Sequence, residues 1–203
     1  MHRRVGIMGG TFDPIHVGHL ILGESAYQQF GLERVLFMPS GNPPHKQDRK
    51  GRASNEERVE MVRRAIETNV HFELSLEEMH EQGYNYTRET LERLKSVHAD
   101  TDYYFIMGAD SLLSFETWKN PEEICRLCVL VVAVRDHLPQ ERLDAQIARL
   151  SETFRADIRK LESPNIDISS RMVRGWVAQE RSCRYYLPDR VLDYIEERGI
   201  YRG

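Results

Sequence analysis

Residues 9–19 read Gly9-Gly10-Thr11-Phe12-Asp13-Pro14-Ile15-His16-Val17-Gly18-His19. They follow an apolar run, Val5 to Met8, that predicts a buried strand, and they open a segment of helical period from about Gly18 to Phe30. Two adjacent glycines let the backbone turn sharply and approach a polyphosphate without a side chain in the way. The stretch therefore predicts a strand–turn–helix unit whose turn binds an anion.

Two histidines belong to this turn. His16 and His19 stand three residues apart at the start of the predicted helix, so both imidazoles lie on one side and can donate to the same phosphate oxygens. Packing or helix capping is the alternative role. The stretch lacks the Lys-Ser/Thr ending of a Walker loop and the G-x-G-x-x-G spacing of a dinucleotide fingerprint, which excludes both of those classes.

Along the rest of the chain, apolar β-branched runs alternate with segments of helical period, which is typical of βα units wound into a parallel sheet. We expect an α/β fold, formed by residues 1–203 as a single domain. It would be a Rossmann-like doubly wound sheet of five to six parallel strands, with helices on both faces and a C-terminal helical segment. Ligands should collect at the carboxyl ends of the strands.

The predicted elements are as follows. The strands are Val5–Met8, Arg34–Met38, Phe72–Leu76, Tyr103–Met107, Val129–Val134 and, as a sixth, Ile158–Leu161. The helices are Gly18–Phe30, Asn55–Thr68, Thr87–Val97, Pro121–Leu127, Glu141–Phe154, Ser169–Gln179 and Pro188–Arg198.

Composition narrows the class of protein. The chain has 203 residues and a formal net charge of -4, which argues against a sequence-independent duplex-DNA binder, so we expect no nucleic-acid partner. No apolar run approaches the roughly 20 residues of a membrane span, and the N-terminus has no signal-peptide pattern. We expect a cytoplasmic protein without a membrane partner. Its oligomeric state stays open, with a homo-oligomer among the outcomes.

The cysteines present a choice between chemistry and packing. Cys125 and Cys128 have the C-x-x-C spacing of zinc or redox sites, but Cys183 alone supplies no second ligand pair. The following segment has the pattern of a buried strand. We therefore expect these thiols to pack in the core.

A second anion-binding segment lies far downstream, at Ile168-Ser169-Ser170-Arg171-Met172-Val173-Arg174. Serine is a good N-cap, so the free N–H groups of the first helical turn, together with Arg174, can bind phosphate. Taken alone, the two serines are better explained by capping.

Both segments resemble motifs of the nucleotidyltransferase superfamily that carries the T/H-x-G-H motif. The first resembles its G-G-x-F-D-P-x-H-x-G-H signature and the second its I-S-S-T-x-I-R motif, which holds the outer phosphates of ATP. Arg171 departs from that motif and receives no role. The resemblance implies that ATP contacts residues of both segments, namely Gly9, Gly10, Thr11, Phe12, His16, His19, Ile168, Ser169, Ser170 and Arg174.

Nearly the whole chain is most similar to the nicotinate-nucleotide adenylyltransferases. Residues 42–46, Asn-Pro-Pro-His-Lys, resemble the family loop whose lysine, here Lys46, meets the acceptor phosphate; a solvated basic loop is the alternative. Gly108 and Asp110 match a G-A-D turn that contacts the ATP nucleoside, although Asp110 could also cap the next helix. Trp118 matches the tryptophan that stacks on nicotinate, where packing is the alternative.

The resemblance also implies a reaction. Thr87 opens a helix whose N-terminus would receive the nicotinate carboxylate, so that nicotinate mononucleotide contacts Thr11, Lys46, Thr87 and Trp118. ATP would transfer its adenylyl group to this acceptor, with His16, His19, Lys46 and Arg174 as the catalytic residues. Mg²⁺ would be the cofactor, held mainly by the ATP phosphates, with no protein metal ligand assigned.

Other interpretations of the function remain open. The acceptor could be nicotinamide mononucleotide or phosphopantetheine, or the reaction a cytidylyltransfer. A non-catalytic nucleotide-sensing or RNA-binding module is the alternative from another class. The roles of Arg171 and Arg135 are unassigned.

Overall fold

Parallel strands form the centre of the computed structural model, which describes residues 2–41, 51–79, 85–134 and 139–202. Within these ranges six strands form one sheet. They are β1 (Arg3–Gly10), β2 (Arg34–Pro39), β3 (Phe72–Leu74), β4 (Thr101–Gly108), β5 (Cys128–Ala133) and β6 (Ile158–Leu161).

The order across the sheet is β3-β2-β1-β4-β5-β6. The chain therefore winds outward in one direction from β1 and then restarts in the other direction at β4. Where the winding reverses, the loops after two neighbouring strands diverge and leave a crevice at the carboxyl ends of the strands. The turn after β1 lies at this crevice, as the sequence predicts.

Helices connect the strands and cover the sheet. They are α1 (Val17–Phe30), α2 (Asn55–Ile66), α3 (Thr87–Val97), α4 (Ala109–Leu113), α5 (Pro121–Leu127), α6 (Gln140–Phe154), α7 (Ser170–Ala178) and α8 (Asp189–Arg198), with a 3₁₀ turn at Phe115–Thr117. Among the described residues, none of these helices combines the length and apolarity needed to cross a bilayer.

Local sequence explains where several helices begin and end. Ser54 caps α2 in a reciprocal arrangement: its hydroxyl accepts from the Glu57 backbone N–H at 3.2 Å, and the Glu57 carboxylate accepts from the Ser54 N–H at 2.8 Å. Pro121 occupies the first turn of α5, where its missing N–H costs nothing. Gly199 ends α8 in the left-handed conformation that glycine adopts readily.

Two hydrophobic cores lie on the two faces of the sheet. Side chains alternate along each strand, so Tyr104 and Ile106 of β4 join the first core while Tyr103, Phe105 and Met107 join the second. Helices α1, α2, α7 and α8 cover the first face, and α3, α4, α5 and α6 cover the second. Burial on both faces explains why the strands read as continuous apolar runs.

The doubly wound parallel sheet with helices on both faces is confirmed. The predicted bounds of α3, α5 and β6 are those observed. The prediction for β3 is wrong at its end, because Leu76 is half exposed and begins a turn closed by the Met79 N–H at 2.9 Å. The helix at Asn55 stops at Ile66 rather than Thr68, and α4 was not predicted.

The cysteines pack in the core, as expected. Cys125 and Cys128 are both buried among the side chains of the second core. Burial raises the pKa of the Cys125 thiol to about 11 and also raises the pKa of the Cys128 thiol. Both sulfurs therefore stay protonated at neutral pH, the state of an inert structural cysteine.

Candidate functional site

The glycine loop, residues 9–16, leaves β1 and enters α1 at the crevice. Phe12 has a φ of 48°, in the left-handed region that bulky residues rarely adopt. Its ring is buried, and it contacts the rings of Phe37 and His19. The packing of this ring offsets a strained backbone, a combination typical of functional loops.

The structure brings the two predicted histidines together. Their rings stack with centroids 3.7 Å apart and an interplanar angle of 28°. His19 Nδ1 accepts a hydrogen bond from the His16 backbone N–H at 3.2 Å. An accepting nitrogen carries no proton, so the neutral His19 ring carries its proton on Nε2 and can donate from that atom.

Helix α7 lies against the glycine loop. The Ser170 hydroxyl donates to the Pro14 carbonyl at 2.8 Å, and Arg174 Nη1 donates to the Asp13 carbonyl at 2.6 Å. Ser169 caps the helix by accepting from the Met172 N–H at 3.2 Å. The two predicted anion-binding segments therefore meet, with the N-terminus of α7 at the same crevice as the histidines.

A pocket lies between these segments. It is formed by the start of α1, the carboxyl end of β5 and the chain leading into α7. Its lining residues are His16, Gly18, His19, Ile21, Leu22, Ala133, Val134, Ser163, Pro164, Asn165, Ile166 and Ile168. The lining thus combines polar side chains, among them His16, His19 and Asn165, with apolar ones, a mixture that suits a ligand carrying both a phosphate and a ring.

Asp13 is a site residue to which the sequence argument gave no role. Its carboxylate is 2% exposed. Oδ1 accepts from the Tyr201 hydroxyl at 2.7 Å and from the Ala53 N–H at 3.1 Å, while Oδ2 lies 3.6 Å from Arg174 Nη1. The Arg174 guanidinium, which the sequence predicts to bind phosphate, therefore also binds the glycine loop.

Arg58 and Glu78 are two further buried charges that sequence reasoning missed. The Arg58 guanidinium donates to the carbonyls of Thr11 at 2.5 Å and Ser40 at 2.8 Å. Glu78 accepts from the hydroxyls of Ser40 at 2.7 Å and Thr90 at 3.0 Å. These bonds connect the glycine loop through the end of β2 to α3.

A signal for Arg58 was present in the sequence. It occupies the same face of α2 as the buried Met61, Val62 and Ala65, and a cation in an apolar stripe points to a buried partner. No comparable pattern marks Glu78 or Tyr201.

The remaining predicted residues lie near the ends of β4 and α3. Trp118 is half-buried, with its ring 5.3 Å from that of Phe115 and 6.1 Å from that of Phe105. The next residue, Lys119, pairs with Glu89 in the first turn of α3 at 2.9 Å. The Trp118 segment therefore lies beside the helix that Thr87 begins.

The other predicted residues lie at the end of β4, in α4 and α7, or outside the described ranges. Gly108 ends β4, and Asp110 is exposed in the first turn of α4. The capping alternative for Asp110 is wrong, because Gly108 is the N-cap residue and α4 has no side-chain cap. Arg171 is exposed. Lys46 and the Asn-Pro-Pro-His segment before it lie outside the described residues, as does Arg135.

Comparison with known proteins places the chain among nucleotide-transferring enzymes. The model of the cytidylyltransferase-like family matches residues 7–175. The chain is 42% identical over 199 residues to the probable nicotinate-nucleotide adenylyltransferase of Lachnoclostridium phytofermentans, covering 98% of this chain and 99% of that protein. It is 40% identical over 200 residues to the Thermoanaerobacter sp. protein of the same description, covering 98% and 94%.

Solved structures share the fold. The nicotinic acid mononucleotide adenylyltransferase of Plasmodium falciparum complexed with NaAD superposes with a TM-score of 0.80, at 19% identity over 98% of both chains. The same enzyme complexed with APC gives a TM-score of 0.78, also at 19% identity over 98% of both chains.

The buried Arg58 yields a stability prediction. Arg58→Met keeps the aliphatic stem but leaves the carbonyls of Thr11 and Ser40 without their charged donor. We expect the free energy of unfolding to fall by about 2 kcal/mol or more. Urea unfolding followed by circular dichroism measures it.

Arg63→Met on the same helix is the matched control. Arg63 is exposed and pairs with Glu60 within the helix, so its loss should change stability by less than about 1 kcal/mol. Equal effects of the two substitutions would contradict a supporting role for Arg58.

Proposed function

The chain belongs to the cytidylyltransferase-like family, and we propose on this premise that it is a nicotinate-nucleotide adenylyltransferase of NAD biosynthesis. It transfers the adenylyl group of ATP to nicotinate mononucleotide and releases pyrophosphate and nicotinate adenine dinucleotide. The single observation that supports this most is the junction of the two phosphate-binding segments, through the bonds from Ser170 to Pro14 and from Arg174 to Asp13.

The chemistry asks for positioning more than for proton transfer. The acceptor's phosphate oxygen is already an anion, so it can attack the α-phosphorus of ATP without a general base. The protein must hold two mutually repelling anions in line and stabilise the charge that builds up between them. Donors fixed before the substrates arrive perform this task with little reorganisation.

His16 and His19 would supply donors at the α-phosphate. His19 presents Nε2–H because its Nδ1 is bound to the His16 backbone N–H. Stacking of the two rings restrains their orientation. Glycines at positions 9 and 10 let backbone N–H groups approach the same phosphate.

The N-terminus of α7 would hold the departing pyrophosphate. Ser169 caps the helix, and N–H groups of its first turn, including that of Ser170, form the positive end of the helix dipole. A guanidinium carries several N–H donors, so Arg174 can bind Asp13 and still offer donors to a phosphate.

The acceptor side of the site rests on Thr11, Thr87, Trp118 and Lys46. The N-terminus of α3 favours a carboxylate over an uncharged amide, which is the basis for choosing the acid as acceptor. Trp118 would stack on the nicotinate ring. The contact of Lys46 with the acceptor phosphate remains a prediction from the sequence, as does the contact of Gly108 and Asp110 with the ATP nucleoside.

Magnesium enters this proposal together with ATP rather than as a protein-bound cofactor. Asp13 is the carboxylate of the glycine loop, and its oxygens already face Tyr201, Ala53 and Arg174. The remaining polar side chains of the glycine loop and of the start of α7 are imidazole, hydroxyl and guanidinium groups, which suit phosphate better than Mg²⁺. When bound, the ion would neutralise charge on the triphosphate.

Two alternatives remain to be separated by experiment. Preference for nicotinamide mononucleotide would keep the reaction and change the acceptor. A nucleotide sensor would bind ATP without turnover, but the fixed Nε2 donor of His19 favours catalysis.

His19→Ala tests the histidine donor. We expect it to fold normally and to lose on the order of 10²-fold in kcat, because a transition-state donor is removed. Steady-state pyrophosphate release measures the loss. His98→Ala, at an exposed histidine just after α3, is the control and should keep parental turnover. Near-parental kcat in His19→Ala would remove His19 from the mechanism.

An acceptor panel tests the substrate. With ATP present, kcat/KM should be highest for nicotinate mononucleotide, because the α3 N-terminus favours its carboxylate. Pyrophosphate release with nicotinate mononucleotide, nicotinamide mononucleotide and phosphopantetheine provides the comparison. Higher kcat/KM for the amide would overturn the acid assignment, and tight ATP binding without pyrophosphate release from any acceptor would favour the sensor.

Metal titration tests the Mg²⁺ proposal. At fixed total ATP, turnover should rise with Mg²⁺ and level off once the nucleotide is converted to its magnesium complex. Full turnover in excess chelator would show that the ion is dispensable.

A further inference from the structure

We propose that Tyr201, near the C-terminus, is a positioning residue for adenylyl transfer: its hydroxyl fixes the buried Asp13 carboxylate and thereby the glycine loop that leads to His16 and His19. This inference rests on the proposed function for its catalytic part. Its structural part, restraint of the loop, can be measured without turnover.

The contact is direct and buried. The Tyr201 hydroxyl donates to Asp13 Oδ1 at 2.7 Å, and the Asp13 side chain is 2% exposed. Burial and the adjacent Asp13 charge raise the pKa of the Tyr201 hydroxyl, so it remains a donor throughout the physiological range. A buried carboxylate depends on each donor it has, because water cannot replace a missing one.

The backbone conformation after α8 places this hydroxyl beside Asp13. Gly199 ends α8 in the left-handed conformation, and the Ile200 N–H bonds to the Ile195 carbonyl at 3.0 Å. Ile200 is buried in the core beside the sheet. Tyr201 then adopts a φ of 67°, a left-handed conformation that is unfavourable for a residue with a side chain. Anchoring by Ile200 and the Asp13 bond compensate for that strain.

Three distant parts of the chain converge on Asp13. The Ala53 N–H precedes α2, Arg174 belongs to α7, and Tyr201 follows α8. Asp13 lies three residues before His16. Loss of one donor would let the loop shift relative to α7, and an ångström-scale misplacement of reacting groups can cost on the order of 10²-fold in rate.

Tyr201→Phe is the decisive variant, because it removes the hydroxyl and keeps the ring. We expect kcat to fall by about 10-fold to 10²-fold, with KM for ATP and for nicotinate mononucleotide changed by less than about threefold. A purely structural role would lower Tm but leave kcat per folded molecule unchanged. Tyr194→Phe is the matched control: Tyr194 lies on α8 with its ring under the Arg64 guanidinium at 4.5 Å, and its variant should keep parental kcat.

A double-mutant cycle tests the route through Asp13. If Tyr201 acts on that carboxylate, Asp13→Ala, which removes the acceptor, together with Tyr201→Phe should be no slower than Asp13→Ala alone. Losses of kcat that multiply would show that Tyr201 acts elsewhere and would overturn the proposal. A chain ending at Ile200 provides a second variant and should reproduce the kcat loss of Tyr201→Phe.

Amide hydrogen exchange distinguishes this inference from the proposed function. Exchange in residues 9–19 should be faster in Tyr201→Phe than in the parental protein and in Tyr194→Phe, whatever the acceptor. If the parental protein shows no adenylyl transfer, the proposed function is refuted, but the exchange measurement still tests the restraint of the glycine loop. Parental exchange in Tyr201→Phe would overturn the inference, as would parental kcat in an active enzyme.

Discussion

A triphosphate can be held in one geometry only where cations and backbone N–H groups from separate segments are fixed relative to each other. In this protein, α7 is fixed to the glycine loop. The bonds from Ser170 to Pro14 and from Arg174 to Asp13 make this connection. Each segment alone resembles an ordinary capped helix, which binds an anion weakly. Joined, they place two helix N-termini and two imidazoles at one crevice, and the proposed chemistry depends on this.

The same groups that form the local structure also prepare it for chemistry. His19 stabilises the start of α1 by accepting the His16 N–H, and this bond decides which of its nitrogens carries the proton. The α7 serines divide their tasks: Ser169 caps the helix, and Ser170 binds the glycine loop. The capping and packing contacts of these residues are therefore compatible with the catalytic roles proposed for them.

Buried charges support the site from behind. Asp13, Arg58 and Glu78 are each almost fully buried, and each binds segments that are far apart in sequence. Isolated, such charges would be costly, because the interior solvates them poorly. Surrounded by carbonyls, hydroxyls and N–H groups, they tie the glycine loop to the end of β2, to α3 and to the C-terminal residues.

The sequence by itself determined the elements and the local chemistry of the site. Apolar runs and helical period are properties of neighbouring residues, so the strands and all described helices except α4 were located to within a few residues. The stretch at residues 9–19 and the Ser-Ser pair likewise carry their proposed anion-binding geometry in local backbone structure.

The tertiary structure alone decided the strand order, the contact between the glycine loop and α7, and the buried side chains that hold the loop in place. Ser170 and Pro14 are 156 residues apart, and Tyr201 and Asp13 are 188 apart. No periodic pattern links such positions, because their contact depends on how the helices pack on the two faces of the sheet. For this reason the histidines could be recognised in the sequence, while the tyrosine that stabilises their loop could not.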